Sequence, residues 1–211
     1  MKDLRADGAR IIGLCGRSGS GKTTVSDIFR KFGVMPIDTD NVYRQLICPA
    51  GDGTPSSLVR KIADEFGDDV ILPDGSLNRA VLASKVFGEG NSENLRRLNL
   101  ITHEPILSRT AELAEEYIRD GARGVLVDAP ALFESGFHEK CDVIICVSAP
   151  DDVLIRRIMA RDSVDDDAAY RRLSSQISDA ELRRKCDFVI ENFGDNDLFS
   201  SVKEIIGKIL D

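Results

Sequence analysis

No apolar run in this chain approaches the roughly 18 residues that a membrane-spanning helix requires. The opening MKDLRADGAR also lacks the apolar core of a signal peptide, so the cytoplasm is the expected compartment. Basic excess is missing too. The formal net charge of -8 argues against a chain built mainly to neutralise nucleic acid or anionic lipid, and any anionic ligand must meet a local basic site. Cysteine is sparse and unpatterned: Cys15, Cys48, Cys141, Cys146 and Cys186 are odd in number and contain no CxxC pair. With Cys15, Cys141 and Cys146 in or beside strand-like runs, buried reduced thiols are expected rather than a disulfide framework or a zinc site. Internal repeats and low-complexity segments are absent. What remains is 211 residues, 42% of them hydrophobic, enough for one domain with an elaboration.

Short apolar runs alternate with helical patterns along that length. Arg10 to Cys15 reads as a strand, and Lys22 to Phe32 as a helix with Val25, Ile28, Phe29 and Phe32 on one face. Further strand-like runs end in polar residues: Val34 to Ile37 before Asp38-Thr-Asp40, Gly124 to Val127 before Asp128, Asp142 to Val147 before Ser148, and Phe188 to Ile190 before Glu191-Asn192. This alternation predicts an α/β fold, a parallel sheet with right-handed crossovers whose ligands bind beyond the carboxyl ends of the strands. Residues 41–120 are mostly helical in pattern and too long for a simple crossover, so a helical substrate region beside the sheet is expected. Turn signals fall at Pro49–Gly53 and Pro73–Gly75. Residues 151–184 form a second helical stretch, rich in arginine, whose side chains fit a solvated face as readily as a ligand-facing one.

Gly16-Arg17-Ser18-Gly19-Ser20-Gly21-Lys22-Thr23 matches GxxxxGK[ST], and Thr24 follows. Glycines at these places let successive N–H groups turn onto phosphate oxygens. The next helix presents its positive end, Lys22 reaches the β- and γ-phosphates, and the Thr23 hydroxyl suits Mg²⁺. The bare pattern arises by accident in about one chain in a hundred of this length. Its place between a strand and a helix makes accident less credible, so nucleoside triphosphate binding is expected. No NKxD guanine-reading motif is present, and the chain is short for a mechanical ATPase with an output domain. A small-molecule kinase is favoured.

Asp128, closing Val125-Leu-Val127, suits Mg²⁺ assistance directly or through water, or the N-cap of a following helix; the phosphate loop in the same chain favours the metal. Asp40 can orient or deprotonate an attacking hydroxyl, or cap a helix beginning at Asn41, and spacing alone leaves both open.

From Ile11 to Gly194 the chain resembles the dephospho-CoA kinase family. The likeness is carried by Gly13 to Thr24, Asp38-Thr-Asp40 with Arg44, Phe66-Gly67, Asp74 to Arg79, Val86-Phe87, Leu98-Asn99 with His103, Pro130-Ala-Leu-Phe-Glu134, Arg157 to Asp162, Gln176, and Cys186 to Gly194. The phosphate loop is common to many kinases, but this ordered set is specific. The resemblance implies phosphorylation of the ribose 3′-hydroxyl of dephospho-CoA by ATP with Mg²⁺, closing coenzyme A biosynthesis, on a P-loop-type sheet with an inserted helical region and a lid. It implies Asp40 as the catalytic carboxylate, Arg44, Arg79 and His103 around the acceptor, Arg157 and Arg161 as lid arginines over the phosphates, and Asn192 near adenine. Partners are then small molecules, with no nucleic acid and no membrane.

Departures from the family pattern occur at Arg17 and Ser18, which replace small and apolar residues, at Glu104 between His103 and Pro105, at Ala131 for leucine, and at Leu182 for a basic lid residue. His138 reads as an exposed surface residue. The rival readings are another P-loop small-molecule kinase, such as a nucleoside kinase, and a nucleotide-binding regulator that transfers no phosphate.

Overall fold

The computed structural model describes residues 9–88 and 90–210. Residues 1–8, which precede the stretch that carries the family resemblance, lie outside that range. The described chain divides into two compact units, one up to Asp38 and resuming at Leu113, the other Thr39–Glu112.

The first unit is built on a five-stranded parallel sheet: β1 (Arg10–Cys15), β2 (Val34–Asp38), β3 (Gly124–Asp128), β4 (Val143–Ser148) and β5 (Phe188–Glu191), in the order β2-β3-β1-β4-β5. The parallel α/β sheet read from the sequence is present, with strand ends moved by a residue or so. Five of the six β1 residues are buried because β1 lies between two neighbours and is covered on both faces. Pro36, which cannot donate to a ladder, lies on β2 at the sheet edge, where one side needs no donor.

Alternation divides the strand side chains between two faces. On one, Ile12, Leu14, Leu126, Ile145, Val147 and Ile190 pack with Val25, Ile28 and Phe29 of α1 (Lys22–Lys31) and Val202, Ile205 and Ile206 of the last helix (Leu198–Ile209). The apolar stripe of α1 is therefore what seats the phosphate loop's helix on the sheet. On the opposite face, Leu132 and Cys141 press so close to Gly13 that a Cβ there would lie 2.9 Å from the Cys141 sulfur.

The second unit carries α2 (Thr39–Leu46), α3 (Ser57–Phe66), α4 (Arg79–Val86) and the greater part of α5 (Ser92–Arg119). Its core joins Ile47, Leu58, Val59, Ile62, Val70, Leu77, Leu82 and Val86. Ser56 and Asn78 cap α3 and α4 by accepting from the backbone N–H groups of Val59 and Val81. The anticipated turns close where glycine sits: Gly53 donates to Ala50, and Gly75 to Leu72.

Returning to the first unit, α6 (Asp151–Asp162), α7 (Asp166–Ser174) and α8 (Asp179–Lys185) fill the arginine-rich stretch, and α9 is the last helix named above. Two local expectations need correction. The helix after β2 starts at Thr39 rather than Asn41, so Asp40 lies inside its first turn and is not its cap. Asp128 is followed by turns across residues 130–135 and not by a helix, so it caps none. Among the described residues no helix is long and apolar enough to cross a membrane.

Leu126, fully buried in the sheet core, should lose about 2–5 kcal/mol of unfolding free energy on Leu126→Ala. Urea denaturation of the two proteins would measure the difference; a loss below about 1 kcal/mol would show that this part of the sheet does not carry the core.

Candidate active site

The loop from Gly16 to Gly21 joins the buried end of β1 to α1 at the point where β1 has β3 on one side and β4 on the other. Its backbone is compressed against its surroundings. Gly16 has φ +152°, and a Cβ there would stand 2.5 Å from the Val147 carbonyl oxygen of β4; at Gly19 a Cβ would lie 2.9 Å from the Leu154 carbonyl oxygen of α6. Only glycine fits either place. Gly21 caps α1 in the left-handed region without a side-chain hydrogen bond, and the first turn of α1 contains no acid. Its leading N–H groups and helix dipole thus present positive potential with no internal anion, which is the character of a phosphate site.

Lys22 donates to the Gly16 carbonyl at 3.2 Å and stands 4.0 Å from a carboxylate oxygen of Asp128, both side chains being 18% exposed. Asp128 is the register partner of Leu14 on β1 and of Asp38 on β2. A lysine and a carboxylate therefore meet beside the loop at the carboxyl ends of adjacent strands. Thr23 and Thr24 are exposed in the first turn of α1. An exposed hydroxyl there together with a strand-end carboxylate is an oxygen donor set that fits Mg²⁺.

Segments distant in sequence hold the loop. Arg17 donates to Asp151 at 2.6 Å and to the Leu173 carbonyl at 3.0 Å. The guanidinium, 9% exposed, thus ties an acid in the first turn of α6 to a carbonyl in the last turn of α7, where the helix dipole is negative. This accounts for the departure at position 17: the side chain is a brace between α6 and α7. The Ser18 backbone donates to the Gln176 side chain at 2.9 Å, and Arg161 donates to the Ser18 hydroxyl at 3.1 Å. Arg157 donates to the Gly19 carbonyl at 3.2 Å, and the Asn192 amide to the Ser20 carbonyl at 2.6 Å.

The remaining arginines of the stretch separate by environment. Arg156 pairs with Asp152 on an exposed helix face and Arg172 bonds Asp162, whereas Arg171 and Arg184 are exposed. Arg183 is different. It donates to Glu191 at 2.6 Å, Asp179 at 2.5 Å and the Ser148 hydroxyl at 2.7 Å, while Ser148 itself donates to Asp179 at 2.6 Å. The carboxylates of Glu191 and Asp179 push the guanidinium further up from its ordinary value. This network locks α8 to the ends of β4 and β5. Gln176 and Arg183 gain these positions only through folding; no local sequence signal marked either as a contact of the loop or the strand ends.

The acceptor candidates all lie in the second unit. Arg44 is exposed on α2, Arg79 is exposed at the start of α4, and His103 is half-buried on α5. Burial pulls the His103 imidazole below its ordinary value, keeping it neutral more readily than a free histidine. Burial also raises the Tyr43 hydroxyl, an effect that the positive charge of Arg79 opposes. Glu104 is exposed, and with Pro105, Lys61 and Arg109 it lines an open cavity of about 260 Å³. Leu182 is buried, so its side chain answers to packing rather than to charge, and Ala131 sits in an exposed turn. His138 is not the surface residue expected: it is half-buried, its ring 5.1 Å from that of Phe133.

Residues 10–197 match the family model described as dephospho-CoA kinase. A dephospho-CoA kinase of Corynebacterium glutamicum is 34% identical over 200 residues, covering 94% of this chain and 96% of that protein. A crystal structure from Thermus thermophilus superposes with a TM-score of 0.74 at 26% identity, covering 96% of this chain and 99% of that one. The dephospho-CoA kinase of Campylobacter jejuni does so with a TM-score of 0.66 at 25% identity, covering 95% and 96%.

Gly16→Ala should weaken ATP binding by roughly tenfold to a hundredfold, the equivalent of about 1–3 kcal/mol of backbone strain. Titration with a fluorescent ATP analogue, after circular dichroism has established a folded variant, checks this. Unchanged affinity would mean that the loop can relax away from Val147.

Proposed function

This chain belongs to the dephospho-CoA kinase family, and we propose that it transfers the γ-phosphoryl group of ATP to the ribose 3′-hydroxyl of dephospho-CoA, yielding coenzyme A. The family match across residues 10–197 carries the reading. The uncapped, acid-free start of α1 and the glycine-only loop before it support the nucleotide half of the reaction.

In this reading the N–H groups of Gly16 to Thr24 surround the phosphates, and Lys22, bonded to the loop's own backbone, moves from the Gly16 carbonyl to the β- and γ-phosphates. Arg157 and Arg161, already anchored to Gly19 and Ser18, provide positive charge where the transferring group spreads its negative charge. Thr23 and Asp128, the latter through water, would hold Mg²⁺, which when bound neutralises phosphate charge. Asn192 braces the loop at Ser20 and borders the adenine side. Asp40, two residues beyond the end of β2, orients the 3′-hydroxyl and takes its proton as the O–P bond forms. Arg44, Arg79 and His103 receive the acceptor; the two guanidiniums suit its phosphates. All five cysteines are unpaired, in keeping with a reducing compartment, and the cytoplasm meets that condition.

A nucleoside kinase would share the loop but has no use for the whole ordered set of family motifs. ADP release measured with ATP and Mg²⁺ across dephospho-CoA, adenosine, uridine and no acceptor, with the product phosphate located by mass and NMR, separates the readings. Turnover confined to dephospho-CoA, with product phosphorylated at the 3′ position, is expected. Nucleoside turnover would overturn the acceptor assignment, and no turnover with any acceptor would favour a regulator.

Asp40→Asn should leave ATP binding nearly intact and lower turnover of dephospho-CoA by roughly 10²-fold or more. Steady-state kinetics beside an ATP titration tests this, and turnover within a factor of about three of the parent would remove Asp40 from the catalytic role.

A further inference from the structure

Cys15, Cys146 and Cys186 lie far apart in the chain, yet their sulfur atoms all fall within 4.8 Å of one another. Cys15 and Cys146 are register partners on β1 and β4, and so share the sheet face opposite α1 and α9. Cys186, the residue after α8, brings its sulfur to 3.4 Å from that of Cys15. We propose that these three cysteines form a binding site for one soft, thiophilic metal ion of the copper(I) class, held by three sulfurs.

The spacing suits such an ion. A metal–sulfur bond of about 2.3 Å in a trigonal arrangement sets the sulfurs roughly 4 Å apart, so the three need only small rotations about their Cα–Cβ bonds. The donor set also selects among metals. Three soft sulfurs with no imidazole among them favour copper(I), whereas a structural zinc site needs a fourth ligand. The nearby Asp179 is already engaged by Ser148 and Arg183, so it is not a ready fourth ligand.

Entry is provided by a cavity of about 160 Å³ lined by Cys15, Gly16, Phe133, Gln176 and Leu182. Cys146 is fully buried and Cys15 nearly so, which keeps bulk water from the bound ion, whereas half-buried Cys186 supplies the accessible ligand. An ion held here joins the ends of β1 and β4 to the segment entering β5. The site stands independently of the kinase reading.

The test is an anaerobic titration of the reduced full-length protein with copper(I) in the presence of a chromogenic copper(I) chelator. One equivalent should be retained, with near-ultraviolet sulfur-to-metal absorption and a raised melting temperature. Retention should fall at least about tenfold in Cys186→Ser and persist in Cys48→Ala, where Cys48 is the exposed control. Should Cys186→Ser fail to fold, alkylation of the parent protein decides instead: bound copper should protect Cys186 while leaving Cys48 open to the reagent. No retained copper, retention indifferent to Cys186, equal labelling of both cysteines, or zinc(II) held more tightly by the same thiols would each overturn the proposal.

Discussion

The close approach of the phosphate loop to the backbones of β4 and α6 is the constraint from which the rest of the candidate site follows. At Gly16 and Gly19 carbonyl oxygens occupy the space that any side chain would need. The loop is consequently pressed into a cage whose walls are β1, β4 and α6. Hydrogen-bonding groups that would otherwise face water are taken up by Arg157, Gln176 and Asn192. Each of these attachments comes from a segment beyond residue 150. The nucleotide loop and the arginine-rich helices therefore behave as one mechanical element: displacing α6 or α7 must either break the Arg17, Ser18 and Gly19 contacts or move the loop.

Electrostatics gives that coupling a direction. The chain carries an overall charge of -8, yet Arg17, Lys22, Arg157, Arg161 and Arg183 cluster around the loop and the strand ends. Two of them are committed to structure. Arg17 is neutralised by Asp151 and a helix-end carbonyl, and Arg183 by Asp179 and Glu191. Lys22 and Arg157 donate to carbonyls, partners that a phosphate would displace at small cost because charge-assisted contacts to an anion are stronger than those to neutral oxygens, whereas Arg161 adds to its Ser18 contact a two-point pair with half-buried Asp162 at 2.8 and 2.9 Å. Lys22 and Arg157 thus differ from Arg17 and Arg183 in the strength of what already holds them. Residue type alone does not distinguish them.

That distinction also marks the limit of sequence reading. The strand–loop–helix at Arg10 to Lys31 was legible because glycine spacing and apolar periodicity are local properties, and the parallel order followed from alternating elements. Asp128 could be read as a cap or a metal-assisting carboxylate; the turns across residues 130–135 remove the cap, and nothing local to Asp128 decides between turn and helix there. The helix start at Thr39 was missed because Asp38, Thr39 and Asp40 all have good N-terminal chemistry, leaving the boundary ambiguous by two residues. Arg17 is the plainest case. Its partner Asp151 lies 134 positions away, and nothing near residue 17 announces a brace to α6.

The three cysteines extend the same lesson into the core. Each, taken by itself, is an ordinary apolar filler in or beside a strand, and the sequence holds no CxxC spacing that would suggest a local chelate. A parallel sheet, however, brings residues together by register, so Cys15 and Cys146 became neighbours through the β1–β4 pairing, and Cys186 joined them through the return of α8 onto β4. Because the same register that sets the phosphate loop at the end of β1 also places Cys15 one residue before it, the sulfur cluster and the loop share a support. A substitution that shifts β1 along β4 by one residue would disperse both at once, since it turns every β1 side chain to the other face.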